Sequence, residues 1–317
     1  MKKILIAVLA ATLPLAALAQ AWPQRSVKFV LPLGPGSGVD ITGRLLADQL
    51  GKKWGHAVVV ENRPGGDGVV AINAVLAAKD DHTLLYGPAS SFVGHPYTLE
   101  KMPYDPRDLV PVARVSNTVV TISVPASLKA QSLKELLAMV REEPGKMNWT
   151  SLTGVTDIII GGYLKGAGLS MVRVPYKDAV SGLNDLVEGR IQMYSSAYAI
   201  VRAQAQAGRV RLLAVQARMR APGLPELPTV AELGFPGLNF DGLTGILAAR
   251  GSGVSDALRE RIAADVRAVV LEPAMVERMT ATGQIVSPGT PAEFAAAIEE
   301  QGRNMAESAR LLGIQAK

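Results

Sequence analysis

The chain has 317 residues, 48% of them hydrophobic and 19% charged, with a formal charge of +5 and no cysteine. Disulfides, thiolate metal sites and cysteine nucleophiles are excluded, so the fold rests on its apolar core, which at this length suggests two domains rather than one. Basic residues are scattered and aromatics make up only 5% of the chain, which offers no base-stacking platform, and no nucleic-acid partner is expected.

Residues 1–21 open with Lys2 and Lys3, continue as an apolar run broken by Pro14, and end in small residues at Ala17, Ala19 and Ala21. This is the pattern of a cleaved export signal. Its apolar part is short for a membrane span, and no later stretch is long and apolar enough for one. Removal of Lys2 and Lys3 lowers the formal charge from +5 to +3. That mild basicity suits anionic small molecules.

Residues 27–50 (VKFVLPLGPGSGVDITGRLLADQL) read as a strand, a glycine-rich turn and an amphipathic helix. A helix start carries unpartnered N–H groups and positive potential, and Gly34, Gly36 and Gly38 have no side chains to block a ligand. The turn is not a dinucleotide fingerprint, because Val39 stands where the third glycine is needed. No Gly-Lys-Ser/Thr follows it, and Pro35 breaks a nucleophile elbow around Ser37.

Next come a strand over 57–61, a turn over 63–68 (RPGGDG), a helix over 69–79 and a strand over 83–87. A second series starts with the strand VVTISV near Val119 and a helix over 133–142, opened by the Ser132/Glu135 capping box and stopped by Pro144-Gly145. Strands are predicted over 147–151, 171–174, 190–194 and 210–216, the last preceded by an Ala- and Gln-rich helix. A proline-rich loop with a short capped helix over 229–233 leads to an extended segment over 240–248. Helices are predicted over 256–271 and from the Thr290-Pro291-Ala292-Glu293 box towards Arg310.

Strands alternating with helices predict an α/β fold with a parallel or mixed sheet covered on both faces. The expected organisation is a discontinuous first domain over 22–118 and 238–317, and a second over 119–237. Two adjacent connections make a hinge beneath an interdomain cleft, a common small-molecule site.

The segments VKFVLPLGPGSGVD, VVVENRPGGDG, KMPYDPRDLVPVARV, RVPYKDAVSGLNDLVEGRIQM and LPELPTVAELGFPGL, in this order and spacing, resemble the solute-binding receptors of tripartite tricarboxylate transporters, the Bug family. The resemblance covers nearly the whole mature chain. It implies a type II-like periplasmic-binding-protein fold, each domain a mixed sheet flanked by helices. The implied function is capture of a di- or tricarboxylate or an aromatic acid in the periplasm, by backbone N–H groups at helix starts, and delivery to the permease subunits of such a transporter. A monomer without cofactor, metal or catalytic residues is expected.

In that family the turn after the first strand holds a ligand carboxylate. The matching residues are Leu33, Gly36, Ser37, Gly38 and Asp40, with Ser37 in place of a family glycine. The opposite wall is a small polar loop before a helix, matched by Ser151, Thr153, Gly154 and Thr156, while Ile158 stands where a histidine is common. Ser90 and Ser91 follow the third predicted strand. Tyr194-Ser195-Ser196 replaces the family's Phe-Asp, and loss of that carboxylate weakens an amino-acid reading. Tyr194 and Trp149 point instead towards a flat or aromatic acid.

Two other classes compete. A sensor would present its ligand to a membrane signalling protein on the same fold. A periplasmic hydrolase would need a triad, but His56, His82 and His95 show no metal spacing, and the pairs Glu142/Glu143 and Glu299/Glu300 read as solvated helix faces. His82 is expected in solvent, and His95 near the cleft.

Overall fold

A computed structural model describes residues 22–317 except Leu152 and Lys177, so the export signal read over 1–21 lies outside the described residues. In the first lobe β1 (Val27–Leu31) leads to α1 (Gly38–Trp54), β2 (Val58–Asn62), α2 (Val69–Ala78) and β3 (Thr83–Pro88). Two single turns follow, α3 (Ser90–Val93) and α4 (His95–Thr98), and then β4 (Leu109–Thr118). The second lobe holds β5 (Val120–Pro125), α5 (Leu133–Glu142), β6 (Asn148–Ser151), α6 (Gly154–Gly166), β7 (Val172–Arg173), α7 (Ala179–Val187), β8 (Met193–Ala197), α8 (Tyr198–Gln206) and β9 (Val210–Val215). The chain returns through β10 (Gly242–Ala249), α9 (Asp256–Val270), α10 (Pro273–Ala281), β11 (Gln284–Gly289) and α11 (Pro291–Leu312).

Two mixed sheets result. The first has six strands in the order β11-β4-β10-β3-β1-β2, and the second five in the order β7-β6-β8-β5-β9. Within the first, β1 runs parallel to β2 and β3, while β10 and β4 are antiparallel to their neighbours. In the second, β6 is parallel to β7 and β8, and β5 is antiparallel to β8 and β9. Helices bury apolar stripes against these sheets. In α5, Leu133, Leu136, Leu137 and Val140 recur at helical spacing and are all buried. Each contributes roughly 1.5–3 kcal/mol on burial. Ser132 caps the first turn by accepting from Glu135 N, as its sequence predicts.

The sheets are joined where β4 ends at Thr118 and β5 begins at Val120, and again where the return crossing reaches Gly242. Gln216 stitches the two crossings together: its N–H donates to Val120 O (2.8 Å) and its side-chain amide to Leu238 O (3.0 Å). A further contact bridges the lobes. Val120, Val155, Ile158, Ile159, Phe240, Met305 and Ala309 form one apolar cluster, and the last turns of α11 lie on α6 so closely that a Cβ on Gly162 would stand 2.9 Å from Ser308.

Several elements depart from the sequence reading. β4, α10 and β11 carry regular structure where none was predicted, and the strand expected over 190–194 lies at Met193–Ala197. The short helix expected over 229–233 is a turn, in which Thr229 Oγ1 accepts from Glu232 N (3.1 Å) and Thr229 pairs with Val215 as an isolated bridge. Among the described residues no helix is long and apolar enough to cross a membrane.

Candidate functional site

A cavity of about 460 Å³ lies between the lobes, within the usual size range of small-molecule sites. The first lobe lines it with Leu33, Gly36, Ser37, Gly38 and Val39 of the β1–α1 turn, with Asp67, Pro88, Ser90 and Ser91, and with Thr282, Gly283 and Gln284. Thr153, Thr156, Ala197, Ala199 and Ile200 line it from the second lobe. Thr118, Val120, Phe240 and Gly242 of the crossing strands complete the wall. A larger groove of about 710 Å³ runs along α6 and α11, and none of the sequence-predicted site residues lines it.

The β1–α1 turn is shaped by its own side chains. Gly36 takes φ +82°, a left-handed conformation that favours glycine, and Ser37 caps α1 by accepting from Asp40 N (3.1 Å). Asp40 is buried and does not reach the cavity wall. Its Oδ2 accepts from Gly36 N (2.9 Å), its Oδ1 from Asn62 Nδ2 (2.8 Å), and Arg44 pairs with it at 3.0 Å. Burial pushes this carboxyl upward, but the hydrogen bonds from Arg44, Gly36 and Asn62 outweigh it and the net shift is downward. Asp40 is thus a clasp. It occupies the Gly36 amide and compensates the positive end of α1, which leaves the first-turn amides of Gly38 and Val39 at the cavity.

On the opposite wall Thr153 caps α6 in a capping box with Thr156, and both residues line the cavity. Ser151 does not. Its Oγ donates to Asp157 Oδ1 (2.7 Å) and accepts from Thr156 Oγ1 (2.8 Å), which holds it beneath the cap. Gly154 does not line the cavity either; a Cβ there would stand 2.8 Å from Thr98 Cγ2 of the first lobe, so a larger residue would push that side chain aside.

Tyr194 and Ser195, expected at the site, are buried within β8. The Tyr194 hydroxyl donates to Ala179 O (3.2 Å), and burial pushes it up to about 12. Ser195 Oγ bonds Gln216 Oε1 inside the hinge. Trp149 is likewise core, so the aromatic platform inferred from this pair is corrected: Phe240 is the one aromatic side chain on the cavity wall among the described residues. Because β8 runs three residues later than predicted, the helix start that meets the cavity belongs to α8, at Ala197, Ala199 and Ile200. No side chain caps it and no acidic residue stands in its first turn. Of the three longer helices that start at the cavity, α1, α6 and α8, it is the one with neither a side-chain cap nor an acidic residue in its first turn.

His95 lies behind the wall. It is fully buried, with Nδ1 at 2.5 Å from Tyr104 Oη and Nε2 at 3.0 Å from the carbonyl oxygen of Asp67. The carbonyl only accepts, so Nε2 carries the proton and Nδ1 accepts from the tyrosine. Burial lowers the His95 pKa, against smaller upward effects of Asp67. His82, expected in solvent, is buried: it accepts from Gln24 N (3.2 Å) and faces Asp81 Oδ1 at 2.5 Å. Among the described residues no group of three or more His, Asp or Glu is placed to hold a metal. Glu142 and Glu143 are exposed, and Glu300 pairs with Arg218 (2.5 Å).

Residues 42–307 match the model of the tripartite tricarboxylate transporter family receptor. The chain is 32% identical over 290 residues to a UPF0065 protein of Bordetella bronchiseptica, an alignment that covers 90% of this chain and 85% of that protein. Its structure is similar to that of a periplasmic transporter (28% identity, TM-score 0.79, 93% of this chain and 99% of that one). It is similar also to R. palustris Rpa4515 with adipate (26% identity, TM-score 0.79, 93% and 99% covered). Fold and family are those of solute-binding proteins, and the chain belongs to the receptors of tripartite tricarboxylate transporters.

Proposed function

We propose that this chain is a periplasmic receptor that encloses a small organic carboxylate between its lobes and delivers it to the membrane subunits of a tripartite tricarboxylate transporter. One observation carries the carboxylate reading. The starts of α1, α6 and α8 line the cavity together with Ser90, Ser91, Thr153 and Thr156, and no lysine or arginine lines it among the described residues. Such a site recognises a negative head through oriented amides rather than through a cation. The adipate of Rpa4515 supports the same ligand chemistry. Micromolar affinity needs about 8 kcal/mol, which four or five charge-assisted hydrogen bonds at about 1.5–3 kcal/mol each supply after ordering costs.

Capture requires both lobes to touch the ligand. Amides of α1 belong to one lobe and those of α6 and α8 to the other, so an anion bridging them favours the closed form by its differential contacts. A thermal-shift screen of the mature protein against carboxylic acids, followed by calorimetry, tests the reading, because a ligand of the native state raises the melting temperature. A shift with one chemical class of acids is expected. Melting indifferent to every acid would refute it, and unchanged uptake in a deletion strain with forced permease expression would refute the delivery step.

A further inference from the structure

Asp67 is the single ionisable residue on the cavity wall among the described residues. Its carboxylate has no hydrogen bond or ion pair with another described residue, and its backbone sits at φ 54° and ψ 32°, in the left-handed region. That position is held from behind. His95 Nε2 donates to the Asp67 carbonyl, Tyr104 fixes the imidazole, and the next residue, Gly68, packs so tightly that a Cβ would lie 3.0 Å from Ser91. The acid is thus carried on a braced loop, in the lobe opposite the uncapped start of α8. Val120, Ile200 and Phe240 add apolar surface to the same cavity wall. The α8 start favours a negative group on a ligand in this cavity, and the Asp67 carboxylate a positive one.

We propose that Asp67 selects the cargo: the ligand is a zwitterion, its carboxylate at the helix start of α8 and its ammonium group at Asp67, and acids with a second carboxylate at that end are turned away. This rests on the carboxylate reading above and names the class within it. Attraction of the ammonium and repulsion of a second carboxylate act on the same atom, so both change the preference in one direction.

Calorimetry on the mature protein with the diacids from succinate to suberate, and with their ω-amino counterparts of matched length, tests it. The amino acid of the best-fitting length is expected to bind about tenfold or more tighter than the diacid, with a ratio that shrinks as salt is raised. Asn tolerates the left-handed backbone, so Asp67→Asn keeps the loop while removing the charge, and the ratio is expected to fall to within about threefold. Diacids binding as tightly as their amino counterparts, or a ratio that Asp67→Asn leaves in place, overturns this inference alone. Failure of every acid in both series to bind overturns this inference, and melting indifferent to every acid in the wider screen overturns the carboxylate reading with it.

Discussion

Substituting Ala197→Asp separates the two roles of the α8 start. Ala197 stands at the N-cap with non-helical φ −58° and ψ 134°, and it carries no side chain able to cap. An aspartate there accepts from first-turn amides and places a negative charge at the positive end of the helix. The cap contributes about 1 kcal/mol and the charge about 0.3–1 kcal/mol more, so the unliganded protein is expected to melt about 2–5 °C higher. The same carboxylate occupies the amides assigned to the ligand. Loss of one charge-assisted bond worth about 1.5–3 kcal/mol weakens binding at least about tenfold. Thermal melting without ligand and calorimetry with the acid found by screening read the two effects separately. A variant that melts higher but binds within about twofold of the parent would show that the α8 start is not the anion site.

Gly38→Val puts branched carbons beside Thr282 O, which already lies 3.3 Å from an ideal Cβ at that position, and it narrows the cavity. Affinity is expected to fall at least about tenfold while the native fold persists, and unchanged calorimetric affinity would remove this turn from the site. Asp40 is held below its ordinary 3.8, so the stability it contributes is complete above that pH and is lost as pH falls below it towards the folded value. Asp40→Asn is expected to flatten the acid limb of the melting profile, and an unaltered limb would show that other carboxyls govern it. Gly245→Ala drives a Cβ to 2.4 Å from Ala113 O and 2.5 Å from the Phe294 ring, and overpacking of this kind is expected to cost about 2–3 kcal/mol, read as a lower denaturant midpoint. An equal midpoint would mean that β10 and α11 can shift apart freely.

Elements with local chemistry at both ends were legible from sequence. The Ser132/Glu135 pair and the Thr290/Glu293 box fix helix starts by contacts within a few residues, and each helix begins where its cap predicts. Strands whose pairing is distant were not. β4 contains Pro111 and β11 ends in Ser287-Pro288-Gly289, both of which read as breaks, yet each strand is held by antiparallel partners far along the chain across register shifts. Thr229 and Glu232 make a real cap, but Gly234 ends the segment before a helix forms. Within the site, Gly36 and Gly38 were read from the helix-start pattern, while Ser37, Thr153 and Thr156 came from the family resemblance. The α8 start was missed because the register of β8 is set by pairing with β5, which buries Ser195 and Ser196 instead of exposing them. Asp67 looked like one more turn residue among glycines. Only the tertiary brace from His95 shows where its backbone is fixed.

The way α11 straddles both halves of the molecule bears on dissection. Its opening turns cover the first sheet through Phe294, whereas its closing turns roof α6, and the terminal Lys317 N–H donates to Pro96 O (2.8 Å). A fragment cut at the sheet boundaries would strip α6 of this roof and bare Ile159 and Gly162 to water, so the second half is not an excisable module. Circular permutants that keep the last helix attached are the better starting point for engineering, and reporter fusions at the tail will register with the helix that both halves share.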